Sequence, residues 1–386
     1  MNASIVKLRR KLPWVVIGLL TLMAVATLAN GLLYAWQQPG GDMYARLAEY
    51  QIFRSGVYPH HQLATTTDLP NFTTSVYPPY ALPMFAAFFA WGGAIQGRVT
   101  IQLLSLLSLG LIAWYGYRRL RFAGLPTGLL GALAGVAISG NSNALAQGQF
   151  SILCMGLVVA QLILLENSRY LSAGICWALA MIKPQIALPF ALAFFTRQKF
   201  VGLLCGIGLL IALSISAFWH TKVSPLAFVK VWTKKGSIDF IKEGNITPAS
   251  LLAQVTGIDA SIAQIVALGA GTILVICGWW WLQKQSVTLS QLQLAGIYAA
   301  IGAVIFYHRN YDNIMLFPLL LCILEIACVM KQRFWTILSL TICAALWTPQ
   351  RIIDSLSLST AQSIVWVVAG VALAIAPSMG QLKHKH

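Results

Sequence analysis

Acidic residues are scarce in this chain. Asp and Glu number 10 among 386 residues, against 26 Lys and Arg, and charged residues make up only 9%. A soluble globule normally carries about a quarter charged residues, so the shortage excludes one, and with 58% hydrophobic residues the chain reads as an integral membrane protein. Other absences narrow the chemistry. The sequence holds no CxxC, HExxH, P-loop or GxSxG motif, which argues against a zinc protease, an ATP-driven pump and a hydrolase with a nucleophile elbow. Its seven cysteines (Cys154, Cys176, Cys205, Cys277, Cys322, Cys328, Cys343) all lie in or beside apolar runs and read as small packing residues, not as a disulfide or metal framework. No metal site and no cofactor are expected. The net charge of +16 would suggest nucleic acid in a soluble chain, but the basic residues stand in short clusters between apolar runs, where membrane topology accounts for them. Nucleic acid is therefore not an expected partner, whereas membrane lipids are.

What is present is a succession of apolar runs. The first, Trp14 to Tyr34, follows "KLRRK" and at roughly 20 residues exceeds the core of a signal peptide, so it reads as a retained anchor. Others occupy about 79–95, 99–117, 125–140, 150–165, 171–196, 200–219, 260–282, 291–307, 312–329, 334–347 and 362–378. The expected fold is all-α and polytopic, a single domain over 1–386 with about 11–13 transmembrane or re-entrant helices and two long connections, 35–78 and 220–259. Lys and Arg in short loops stay cytoplasmic. "KLRRK", "YRRLR", Arg169, "TRQK", Lys284, "KQR" and "KHKH" can share that side only if two runs fail to cross. The 79–95 run would dip in and return or lie at the surface, and the 171–196 run would be a hairpin broken at "KPQ". Pro184 disrupts a helix interior, and Lys183 in mid-span would cost about 2.5–3.5 kcal/mol. Both long loops then lie outside a cell or plasma membrane, together with Asp42, "NALAQGQF", "KPQ" and "FYHRNYDN".

Four groups of residues carry candidate chemistry. Asp42, in the glycine-rich "PGGDMY", could act as a general base on an attacking hydroxyl, or simply cap the amphipathic helix through "MYARLAEYQIFRSG". Lys183 suits an anionic substrate such as a lipid phosphate, or else pairs with a buried carboxylate, Asp312 or Asp42. "YHRNYD" puts imidazole, guanidinium, amide, phenol and carboxylate within six residues. His308 and Arg309 fit phosphate recognition; the bland alternative is an interfacial loop with tyrosine anchors and an Arg309–Asp312 ion pair. In "NSNALAQGQF", Asn143, Gln147 and Gln149 could bind sugar hydroxyls or hold helices together.

Taken in order, "GGDMY", "SGVYPH", "YPPYALP", "AQGQF", "AGICWALAMIKPQIALPFAL", "GNITPASLLAQVTG" and "YHRNYDNIMLFPLL" resemble glycosyltransferase family 87, of the GT-C superfamily of membrane glycosyltransferases. The resemblance implies a GT-C-like bundle that moves a sugar, often mannose, from a polyprenyl-phosphate donor to a lipid or glycan acceptor hydroxyl on the extracytoplasmic face, in cell-envelope glycolipid synthesis. It implies Asp42 as the base of a single inverting displacement, and Lys183, His308 and Arg309 at the donor phosphate. Tyr44, Tyr77, Gln147, Gln149, Gln185, Tyr311 and Asp312 become candidates for substrate contacts. The competing expectation is a transporter or flippase of a lipid-linked or anionic solute, which broken helices around a midplane lysine would also suit.

Overall fold

The computed structural model describes residues 3–37, 41–59, 77–195, 198–229, 289–306, 309–356 and 358–377, with scattered positions between 252 and 273. Among these residues every regular element is helical. In chain order the helices are α1 (Ala3–Gln37), α2 (Gly41–Arg54), α3 (Ala81–Met84), α4 (Ala86–Phe89), α5 (Ala94–Leu120), α6 (Leu125–Val136), α7 (Gly140–Gln147) and α8 (Ser151–Glu166). They continue with α9 (Tyr170–Ala180), α10 (Pro184–Ala187), α11 (Phe200–Thr221), α12 (Gln291–Ile305), α13 (Phe317–Met330), α14 (Arg333–Trp347), α15 (Gln350–Ser355) and α16 (Ser359–Ile375). Short 3-10 segments follow α10 (Leu188–Phe194) and precede α13 (Asn310–Leu316).

Four stretches are long and apolar enough to cross a bilayer: Pro13–Gln37, Ala94–Ala123, Phe200–Thr221 and Asn310–Met330. A fifth, α6 with α7, is bent by 47° where the two helices meet. Many large apolar side chains on these helices face outward, among them Leu19, Leu22 and Leu33 on α1, Leu103 and Leu107 on α5, and Ile211 and Ile215 on α11. Patches of that extent are unfavourable against water and are satisfied by lipid. The bundle is built around the segment Asn310–Met330, 78% of whose apolar window is buried, compared with 17% for α1. α13 is apolar on all sides and packs on α5, α6, α12, α14 and α16, as a fully enclosed helix must.

The two runs that charge bias sets apart are broken. Over 79–95 the chain forms α3 and α4, nine residues from Ala81 to Phe89 that would rise only about 13 Å. Leu82, Phe85, Phe88 and Phe89 are buried where these turns pack against α2, α5 and α11, so the segment is a plug between helices and not a span. Over 171–196, α9 ends at Ala180 and α10 restarts at Pro184. The arms fold back on each other: Trp177 Nε1 donates to the Ala187 carbonyl at 3.0 Å, and its ring lies 6.3 Å from that of Phe194. Lys183 therefore sits at the tip of a hairpin.

At one end of the bundle Arg119 of α5 ties three helices together, reaching Glu166 of α8 at 3.2 Å and Glu325 of α13 at 2.9 Å. This pairing accounts for a fully buried carboxylate inside an apolar helix.

Candidate active site

α2 begins at Gly41 and places Asp42 in its first turn, where a carboxylate is favoured by the helix dipole. Its side chain meets Gln149, whose Nε2 donates to Asp42 Oδ2. The other end of the same amide, Oε1, accepts from Lys183 Nζ at 3.0 Å. A carboxylate on one side and an ammonium on the other leave the amide a single orientation that satisfies both.

Lys183 is 3% exposed and has two further partners: Ser151 Oγ at 2.7 Å and Asp312 Oδ1 at 2.5 Å. Ser151 Oγ also donates to Asp312 Oδ1 at 2.6 Å, and the Arg309 backbone N–H donates to Asp312 Oδ2 at 3.3 Å. The Tyr311 ring lies 4.5 Å from the Lys183 ammonium, within cation–π range. Residues from four distant segments thus form one continuous polar network inside an apolar bundle: Asp42, then Gln149 and Ser151, Lys183, and Asp312.

Local backbone features make the convergence possible. Gly148 is left-handed, at φ 66°, and a Cβ there would lie 2.8 Å from Met43 Cβ. It ends α7, turns the chain toward α8 and lets α2 approach the turn. The turn separates two glutamines only two residues apart: Gln149 enters the network, and Gln147, on the last turn of α7, does not. Gly140 lies against the Asn310 carbonyl, where a Cβ would come within 2.0 Å of the oxygen, so α7 and the Asn310–Leu316 segment touch backbone to backbone.

The remaining candidates are distributed around this network. Asp312 is the partner of Lys183, and the Arg309 side chain is exposed. Gln185, half-buried just past the hairpin tip, stays out of the network. Tyr44 turns to Arg98, whose Nη2 donates to its phenol at 3.4 Å. Tyr77 stacks under the Arg46 guanidinium at 4.5 Å and packs on Phe85 and Phe150. His308, and most of the loop at 220–259, lie outside the described residues.

Sequence reasoning missed Ser151 and Arg46. Ser151 stands two residues after Gln149, at the first position of α8. Arg46 follows Asp42 by one helical turn, a spacing that puts both on one face of α2. It is buried, with Nη1 2.9 Å from Glu49 Oε2. Burial opposes its charge, but Glu49 and, more weakly, Tyr77 and Asp42 outweigh that and hold its pKa above the ordinary value. The arrangement can hold a carboxylate at a fixed position near a buried, charge-balanced pair, with the Arg46 guanidinium as a second cation near it.

The network and the Arg119 clasp lie at opposite ends of the same helices. α8 runs from Ser151 to Glu166, and the last central segment from Asp312 to Glu325, each covering roughly 20 Å.

The family model for glycosyltransferase family 87 matches residues 76–307, which include Gln149, Ser151 and Lys183. No curated protein and no solved structure gives a significant match. The matched segment is more than half of the 386 residues, and its polar residues are joined by hydrogen bonds to Asp42 before it and Asp312 after it. The chain belongs to glycosyltransferase family 87 and is a membrane glycosyltransferase.

Proposed function

We propose that the protein transfers a sugar, mannose in the first instance, from a polyprenyl-phosphate donor to a hydroxyl of a lipid or glycan acceptor, with Asp42 as general base. One observation carries the reading: Asp42, from the first connection of the chain, is hydrogen-bonded into a network that ends 270 residues later at Asp312. Such a network holds a carboxylate where a reacting hydroxyl can find it. The acceptor oxygen attacks the anomeric carbon as the bond to the phosphate oxygen breaks. Asp42 Oδ takes the hydroxyl proton, and the electron pair of the broken bond leaves on the polyprenyl phosphate. A single displacement inverts the configuration.

Lys183 is matched by Asp312, so it acts chiefly by holding Gln149, and Gln149 by aiming Asp42. The leaving phosphate is met by Arg309 and His308, with Arg46 as a further cation. Tyr77 and Tyr311 supply ring faces for the sugar. The Arg119 end carries "YRRLR" and faces the cytoplasm by the positive-inside rule, so the Asp42 end opens on the extracytoplasmic side, where a lipid-linked donor replaces cytoplasmic nucleotide sugars.

Purified protein in lipid, given radiolabelled polyprenyl-phosphate mannose and a lipid and glycan extract, should form a labelled product that Asp42→Asn does not form. Full transfer by a folded Asp42→Asn protein would overturn the assignment of the base. Movement of intact donor across vesicles without turnover would favour the transporter instead.

A further inference from the structure

The end of the molecule remote from Asp42 holds a cavity of about 440 Å³ at the junction of α5 and α6, lined by Tyr117, Arg118, Arg121, Phe122 and Leu125, with Arg119 and Glu166 at its inner wall. Not all of its charge is accounted for by the fold. Arg119 is committed to Glu166 and Glu325, and Glu166 also accepts from the Tyr115 phenol at 3.0 Å. Arg118 and Arg121 are exposed, and neither makes an ion pair among the described residues. Arg118 lies along its own helix, its guanidinium 5.4 Å from the Trp114 ring, so its charge is held at the level where α5 leaves the apolar layer.

The rim is apolar: Phe122 is 50% exposed and Leu125 54%, immediately beside the two arginines. A soluble anion needs only the charge. Two guanidiniums next to a continuous apolar rim, at the end of a span, match a phosphodiester with acyl chains attached.

We propose that this cavity binds the headgroup phosphate of an anionic membrane phospholipid, with Arg118 and Arg121 on the phosphate and Phe122 and Leu125 against the first acyl carbons. The site is independent of the Asp42 network, because either leaflet presents headgroups at this level.

Native mass spectrometry of the full chain in detergent, titrated with phosphatidylglycerol or phosphatidylcholine, tests it. Arg118→Gln with Arg121→Gln should weaken phosphatidylglycerol binding about 30-fold, at roughly one surface charge contact each, and leave phosphatidylcholine unchanged. Lys331→Gln with Arg333→Gln, an exposed basic pair elsewhere, should change neither. Leu125→Glu removes no charge or hydrogen bond and should also weaken phosphatidylglycerol, which guards against misfolding of the arginine variant. Equal losses in the two basic-pair variants would reduce the site to diffuse surface charge. Unchanged binding in the arginine and Leu125 variants, or displacement of the lipid by inorganic phosphate alone, would overturn the proposal.

Discussion

Single residues in the network have separable roles. Among the described residues Asp42 is hydrogen-bonded to the rest of the network through Gln149, so Asp42→Asn should keep the fold while transfer falls by about 10²–10⁴, the range for losing a general base; product formation and the unfolding midpoint, measured on one preparation, check this. Lys183 and Asp312 behave otherwise, since both are almost fully buried. Removing one partner strands the other charge in a low-dielectric interior, so Lys183→Met should destabilise by about 3–5 kcal/mol. Lys183→Met combined with Asp312→Leu should recover much of that stability without recovering activity. A double-mutant cycle on unfolding midpoints reads the coupling, and additive losses would mean that the pair is not a unit.

At the scale of elements, the site depends on how closely backbones approach. Gly148 bends the chain between α7 and α8 and admits Met43, and Gly140 lets α7 lie on the Asn310 carbonyl. Gly148→Ala should push α2 outward and lower transfer more than tenfold, a shift of about 1.4 kcal/mol in the barrier, with membrane insertion unaffected. Gly110→Ala and Gly208→Ala are matched controls, because a Cβ at either position meets nothing within 4 Å. They should leave transfer intact and stabilise their helices by about 0.5–1 kcal/mol. The hairpin between α9 and α10 was legible from "KPQ" because Pro184 and Lys183 are each incompatible with a plain span. The closure of its arms through Trp177 was not, since nothing in the periodicity of either arm names its partner.

For the whole molecule, the decisive property is sidedness. α8 and the segment that ends in α13 each join the Asp42 network to the Arg119 clasp, and the proposed function puts the two clusters on opposite sides of the membrane. In a cysteine-depleted background, Arg309→Cys should react with a membrane-impermeant maleimide from the extracytoplasmic side. Arg121→Cys should react only after the membrane is opened; both positions are exposed. Labelling of both from one side would refute this arrangement.

The sequence by itself determined the solvent, the secondary structure and most of the actors. Its long apolar runs have too few charges for water, its breaks at Pro and Gly divide them, and Asp42, Lys183 and Asp312 stand out because charge is so rare. Only the tertiary structure decided who meets whom. Lys183 could have paired with Asp42 or Asp312, and packing chose Asp312, 129 residues away. Gln149 joins the network and Gln147 does not because Gly148 turns the chain between them. Ser151 and Arg46 gain meaning only from their neighbours. Periodicity records which face of a helix is apolar, whereas pairing depends on the distance and rotation between helices, which side-chain packing sets across the whole bundle.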